Sequence, residues 1–152
     1  MSSFIDIRYN IFTEKEIANL LHGFSQNVKN HKKYNDNNTI FLPVENEDKE
    51  YFYNKYKPYI YNNVIDWIQI VKWPKNSLQN IHIDRASRDT TISSITFLND
   101  NFDGGETFFG EGTIVRPAKN KTIVFSGVNI THGVNKVLNG ERYTIATWYK
   151  KK

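Results

Sequence analysis

From residue 64 onward the sequence gives up helical spacing for a succession of short apolar stretches cut by Gly, Asn and Asp. Residues 65–71, 90–98, 106–109, 112–116, 122–125, 131–137 and 142–150 each read as a strand, rich in the β-branched and aromatic side chains that suit a pleated surface. Trp73-Pro74-Lys75-Asn76-Ser77 closes the first, and Asn99-Asp100-Asn101-Phe102-Asp103-Gly104-Gly105 closes the second. Asn139-Gly140 fits the positive φ angles of a tight hairpin, so it is expected to join the last two strands as a pair. Strands this short and this numerous point to a sandwich or a barrel.

The preceding residues have a different rhythm. Phe12-Thr13-Glu14-Lys15-Glu16-Ile17 reads as a helix start, with Thr13 as cap, Glu16 as its capping-box partner and Phe12 stapled to Ile17. Ile17, Leu20, Leu21 and Phe24 then share one helical face. A polar turn is expected at 35–38, a short strand at 39–42, and a second helix over about 48–61 with an aromatic face including Tyr51, Phe52 and Tyr59, kinked or ended early by Pro58. The expected fold class is mostly β (α+β): a jelly roll buttressed by N-terminal helices. It is expected to form a single domain over 1–152, with helical support about 1–62 and a β core about 63–150. A chain of 152 residues buries roughly two-thirds of its unfolded surface, enough for a core without staples.

Composition excludes several functions. Cysteine is absent, which removes disulfides, thiolate zinc centres and a cysteine nucleophile, and leaves any metal to His and carboxylates. The N-terminus shows no basic region followed by an apolar core, and no apolar run approaches the ~18 residues of a membrane span. A cytoplasmic protein with no membrane partner is therefore expected. The formal charge of +4, with lysines gathered in 29–33 and 150–152, reads as solvated surface. Without a basic helix or an aromatic–basic repeat, nucleic acid is not an expected partner.

His82-Ile83-Asp84 carries the chemistry. On an extended strand, residues two apart point to one face, so the imidazole and the carboxylate project together. Such a triplet often arises by chance, and a third ligand is needed. His132 is the only other histidine of the strand-rich half, whereas His22 and His31 read as surface residues. Two imidazoles and one carboxylate make the facial triad of non-haem Fe(II) oxygenases, which leaves three positions open. A hydrolytic zinc site could use the same ligands. Arg142 tips the balance toward iron. Ten residues beyond His132 and across the Asn139-Gly140 hairpin, it is expected beside the His132 strand, pointing into the same cavity. Its guanidinium can grip a carboxylate through two parallel hydrogen bonds, as a keto diacid chelating the metal at its other end requires.

Taken in order, His82-Ile83-Asp84, Phe97-Leu98-Asn99-Asp100 followed by Gly104-Gly105-Glu106-Thr107, then His132-Gly133-Val134 and Arg142-Tyr143-Thr144-Ile145-Ala146-Thr147-Trp148-Tyr149 resemble the 2-oxoglutarate/Fe(II) oxygenases. The resemblance is to the prolyl 4-hydroxylase-like branch and covers roughly 64–149. It implies a double-stranded β-helix (cupin-like) with Fe(II) held near one mouth by His82, Asp84 and His132, which are then also the catalytic residues. It further implies 2-oxoglutarate and O2 as cosubstrates, with Arg142 on the remote carboxylate and Trp73, Phe97, Thr144 and Trp148 around it. Ascorbate is an implied reductant. The implied substrate is a protein or peptide, hydroxylated at a prolyl residue with release of succinate and CO2. Arg85 and Arg88, in the loop after the metal pair, are candidate substrate contacts. The same chemistry on a free amino acid, small metabolite or nucleobase is a competing expectation, as is a metal-binding jelly roll without turnover.

The sequence departs from the branch at three positions. Trp73 and Phe97 stand where prolyl hydroxylases often place tyrosines, so their hydroxyl donors are missing. Ala146 stands where some relatives have a threonine that assists the arginine, leaving Thr144 or Thr147 to compensate.

Overall fold

The computed structural model describes residues 3–34 and 38–152. The chain opens on β1 (Ile5–Tyr9), then α1 (Glu14–Gln26), a 3-10 turn at Val28–Asn30, β2 (Lys32–Lys33), β3 (Ile40–Pro43), α2 (Asn46–Tyr56) and a second 3-10 turn at Lys57–Tyr59. There follow β4 (Asn63–Trp73), β5 (Gln79–His82), β6 (Thr90–Phe97), β7 (Asp103–Gly104), β8 (Thr107–Phe109), β9 (Ile114–Val115), β10 (Lys121–Phe125), β11 (His132–Val134), β12 (Val137–Asn139) and β13 (Arg142–Lys151). The fold is mostly β, as the strand punctuation implied. A seven-stranded sheet runs β1-β10-β6-β13-β4-β3-β2, a four-stranded sheet runs β5-β11-β8-β9, and β12 pairs with β7 as a ribbon.

Helix α1 starts as its sequence dictates. The Glu16 backbone N–H donates to Thr13 Oγ1 at 3.1 Å and the Thr13 N–H to Glu16 Oε1 at 2.8 Å. Phe12 and Ile17 share one apolar cluster. Glu16 also accepts from Tyr51 Oη at 2.6 Å and Lys55 Nζ at 2.7 Å, which ties α1 to α2. Helix α2 ends at Tyr56, and Pro58 sits in the tighter turn that follows, where its missing N–H costs nothing.

The seven-stranded sheet buries apolar side chains on both faces, with period-two alternation deciding which side chain goes where. Ile68 and Ile70 of β4, with Ile145 and Tyr149 of β13, join Phe12, Ile17, Phe52 and Tyr56 in a core beneath the helices. Each such fully buried side chain is worth about 1.5–3 kcal/mol. The alternate residues Val71 and Trp73 face the other way and pack with Val134 and Val137. Phe97, Phe109, Ile123 and Phe125 form a second cluster on that inner side.

Several local expectations need correction. Helices do not simply precede strands: besides β3, which matches the strand expected at 39–42, β1 and β2 also lie in the first 62 residues and join the large sheet. The expected strand 131–137 is two strands, β11 and β12, in different sheets, and 112–116 narrows to β9. Asn139-Gly140 does turn the chain, with Gly140 at φ +74°, but it makes no hairpin. β12 pairs with β7, whereas β13 pairs with β4 and β6, because a ten-residue strand buries far more by entering the middle of the large sheet than by pairing with three residues. Residues 35–37 of the expected turn at 35–38 lie outside the described residues. Among the described residues, no helix is long and apolar enough to cross a membrane.

Candidate active site

Two paired strands set the depth of the site. In β4 and β13 the rungs run Trp67↔Trp148, Gln69↔Ala146, Val71↔Thr144 and Trp73↔Arg142. Trp67 is 40% exposed and Arg142 only 1%, so the ladder leads from an open rim to a sealed floor. A cavity of about 520 Å³, counting its solvent-open part, is lined along this ladder by Trp73, Arg142, Thr144, Ala146 and Trp148, and on the facing side by Gln79, His82, Asp84 and His132.

His82 ends β5 opposite His132 of β11, and their ring centroids are 4.4 Å apart. Asp84 lies beyond the end of β5, so strand alternation does not place it. Its backbone N–H is instead held by Gly127 O at 2.8 Å, which swings the carboxylate against both rings. Asp84 Oδ1 is 3.3 Å from His82 Nε2 and 3.1 Å from His132 Nε2. Both Nδ1 atoms lie on backbone carbonyls, His82 on Asn80 O at 2.8 Å and His132 on Ile130 O at 3.0 Å. Each Nδ1 is thus the donor, and an Nε2 left unprotonated would turn its lone pair toward the carboxylate. Lone pair facing anion is repulsive unless a cation lies between them. A proton can serve, and so can a metal: the three donor groups lie within 4.8 Å of one another.

The electrostatics agree. Burial acts to raise the Asp84 pKa, but hydrogen bonds from His132 and His82 outweigh it and hold the carboxyl well below its usual range. Burial pulls His82 down, but its bonds to Asp84 and Asn80 win and raise it.

Gly127 is where this geometry is most easily broken. A Cβ there would come within 2.7 Å of Asp84 Oδ2 and 2.6 Å of Ser93 Oγ. The Gly127→Ala protein is expected to displace the carboxylate and lose about 10- to 100-fold in metal affinity, the usual cost of disturbing a ligand's support. Mn(II) titration followed by electron paramagnetic resonance measures this; affinity within threefold of the parent would refute it.

At the floor, Arg142 Nε donates to Gly105 O at 2.9 Å and an Nη2 N–H to Thr107 Oγ1 at 3.1 Å. The guanidinium carbon sits 5.2 Å from the Trp73 ring centre and 5.1 Å from that of Phe97. Among the described residues it has no ion-pair partner. Burial lowers its pKa to about 9, with the charge of Glu106 opposing, so at neutral pH it stays protonated. A buried, protonated guanidinium without an anion is strongly unfavourable, so the floor offers a place where an anion would be favoured. Trp73 Nε1 is likewise buried without a hydrogen-bond partner among the described residues. In place of tyrosine hydroxyls, two aromatic faces hold the guanidinium and one indole N–H remains free to donate.

Most of the residues singled out in the sequence therefore meet here, though Phe97 backs the guanidinium without lining the cavity. Thr107, not Thr144 or Thr147, supplies the hydroxyl that assists Arg142. Arg85 lines an outer groove at the rim. Arg88 is not brought in: its side chain is 93% exposed and pairs with its neighbour Asp89 at 3.7 Å. His31 is not a bare surface residue, since its Nε2 lies 2.7 Å from Phe24 O and its ring stacks on Phe24. Sequence reasoning missed Gly105, Thr107, Gly127, Gln79 and Tyr34. Only the first two carried a signal, as part of the Gly-Gly-Glu-Thr stretch.

A family model described as the 2OG-Fe(II) oxygenase superfamily matches residues 68–150. Human prolyl 3-hydroxylase 3 is 39% identical over 64 residues, a match that covers 38% of this chain and only 9% of that protein's length. A prolyl 4-hydroxylase from Pseudomonas putida superposes with a TM-score of 0.76 at 12% identity, over 99% of this chain and 94% of that one. A Trichoplax adhaerens prolyl hydroxylase, solved with a hypoxia inducible factor peptide fragment, superposes with a TM-score of 0.73 at 17% identity, over 97% and 83%. At these identities the two structures establish a shared fold.

Proposed function

Because the chain belongs to the 2OG-Fe(II) oxygenase superfamily, we propose that it is a 2-oxoglutarate-dependent dioxygenase that hydroxylates a protein or peptide, at a prolyl residue. The observation that carries the reading is the buried, unpaired Arg142 at the floor of a cavity whose facing wall holds His82, Asp84 and His132. His82, Asp84 and His132 would hold Fe(II). Arg142 would take the remote carboxylate of 2-oxoglutarate, with the Trp73 N–H and Thr144 beside it. Together, Fe(II), 2-oxoglutarate and O2 supply the oxidant that replaces C–H by C–OH, yielding succinate and CO2. The chain's own tasks are to orient these groups, to present the imidazoles as neutral ligands and to keep water from the floor. The prolyl substrate rests on the relatives, which are prolyl 3- and prolyl 4-hydroxylases by name. Ascorbate fits as the reductant that restores Fe(II) after unproductive turnover.

The test is succinate formation by anaerobically reconstituted Fe(II) protein, with and without a proline-containing peptide library. Peptide-stimulated succinate with one added oxygen on proline is expected. Fragmentation of the product then distinguishes C3 from C4 hydroxylation. Stimulation by no peptide, but by free proline or another small molecule, would overturn the peptide reading.

Metal loading should also depend on acidity. His82 holds a proton more tightly than an ordinary histidine because Asp84 stabilises the imidazolium. Binding a metal must displace that proton, so affinity falls as pH drops through the raised His82 pKa. Mn(II) affinity measured from pH 8 to pH 5 is expected to decline steadily, and a flat profile would contradict the assignment of His82.

A further inference from the structure

Outside the cavity, and continuous with it, lies a groove lined by Trp67, Gln69, Tyr34, Ile83, Arg85 and Trp148. It shares Tyr34, Gln79, His82, Asp84 and Trp148 with the cavity, so a chain lying in it passes directly over the donor cluster. Trp67 and Trp148 are direct cross-strand partners, and both line the groove at the rim. The Trp67 indole is not loosely placed. Its Nε1–H donates to Gln69 Oε1 at 2.8 Å, and Gln69 Nε2 in turn donates to Tyr34 Oη. The ring is thereby fixed while 40% of the residue stays exposed, an arrangement that packing alone does not call for. Ile83 beside it is 44% exposed. The one cation lining the groove is Arg85, which has no acidic partner among the described residues.

Resting on the dioxygenase reading above, we propose that this groove is the bed for the segment flanking the target residue, and that its occupant is an extended, acidic, proline-containing peptide. Trp67 supplies a flat, preset ring for a proline, the way aromatic-lined grooves receive pre-extended proline-rich chains at low entropic cost. Arg85 selects an acidic side chain beside that proline, and a rim charge of this kind discriminates among partners. Trp67 and Arg85 are thus specificity determinants remote from the cosubstrate floor.

The test uses the full chain loaded with Mn(II) and 2-oxoglutarate under argon, and fluorescein-labelled ten-residue peptides read by anisotropy. The probes carry a central Ala-Pro-Ala flanked, on either side in turn, by Glu-Pro or by Lys-Pro. The Glu-Pro peptide on one side is expected to bind at least tenfold more tightly than its Lys-Pro counterpart. Arg85→Glu is expected to invert that preference. Trp67→Ala should weaken the Glu-Pro peptide at least tenfold, while Trp67→Phe, which keeps a ring but not the N–H, restores most of the affinity. Thermal melting of each variant checks that it folds. Unchanged preference in Arg85→Glu, equal affinity in Trp67→Ala, or binding of neither peptide would each overturn the proposal. Its failure is separable from failure of the activity: peptide-stimulated succinate that ignores both substitutions rejects the groove and leaves the dioxygenase standing.

Discussion

An Asp84→Ala protein is expected to fold normally and yet to lose both metal and turnover. The structural tie at this residue is its backbone N–H to Gly127 O, which alanine keeps. What alanine removes is the carboxylate that both Nε2 atoms face at 3.1–3.3 Å. Two neutral imidazoles remain, without the anion that offsets the ion's charge. Even changes to groups that merely support a ligand cost about 10- to 100-fold, so loss of the ligand itself should exceed the upper end of that range in succinate formation. Metal content after dialysis should fall in parallel. Because the pairing that holds the Asp84 carboxyl below its usual range also stabilises the fold at neutral pH, the metal-free variant should melt somewhat below the metal-free parent while still unfolding cooperatively. Retention of iron with full turnover would remove Asp84 from the ligand set.

Arg142→Met separates binding from stability even more sharply. The guanidinium is buried and unpaired, and its pKa is lowered because the fold is costly for it in the charged form. Methionine loses the bonds to Gly105 O and Thr107 Oγ1 but also removes that cation, and such exchanges are often neutral or stabilising. The ligand-free variant is therefore expected to melt at or above the parent temperature. Its KM for 2-oxoglutarate should rise steeply: truncating one partner of a buried charge pair costs 2–5 kcal/mol, roughly 30-fold to several thousandfold. Stabilisation by added 2-oxoglutarate should vanish with it. Arg142→Lys keeps the charge but cannot hold Gly105 O, Thr107 Oγ1 and both carboxylate oxygens at once, so it should fall between. A KM within threefold of the parent in the methionine variant would place the cosubstrate elsewhere.

The donor cluster and the β class were legible because they rest on residue identity and short-range rhythm. The fold does bring His82, Asp84, His132 and Arg142 to one cavity, but by means other than the local spacing suggests. Strand alternation was invoked for His82 and Asp84, whereas Gly127, more than forty residues away, places the carboxylate. The Asn139-Gly140 hairpin was invoked for Arg142, whereas pairing of β13 with β4 places it. Both causes are long-range, and nothing in local spacing encodes them. Strand β1 was within reach, since Ile5 and Ile7 alternate with Asp6 and Arg8, the pattern of a half-buried edge strand. Thr107 is an intermediate case: the Gly104-Gly105-Glu106-Thr107 stretch marks the segment, but its role shows only when the fold brings its hydroxyl to the guanidinium.

The strand that carries Arg142 is also the last element in chain order and the middle of the seven-stranded sheet. Before β13 inserts, β1-β10-β6 and β4-β3-β2 are two separate half-sheets with open edges facing each other. Joining the halves must therefore wait for β13, which follows every other strand of the sheet, and contacts as distant in sequence as Ile5 with Phe125 make a slow, concerted closure. On a ribosome His82, Asp84 and His132 would all have emerged while the cavity still had no floor. Any species stalled at that stage offers two unpaired strand edges to its neighbours, the form in which such a chain is most prone to aggregate.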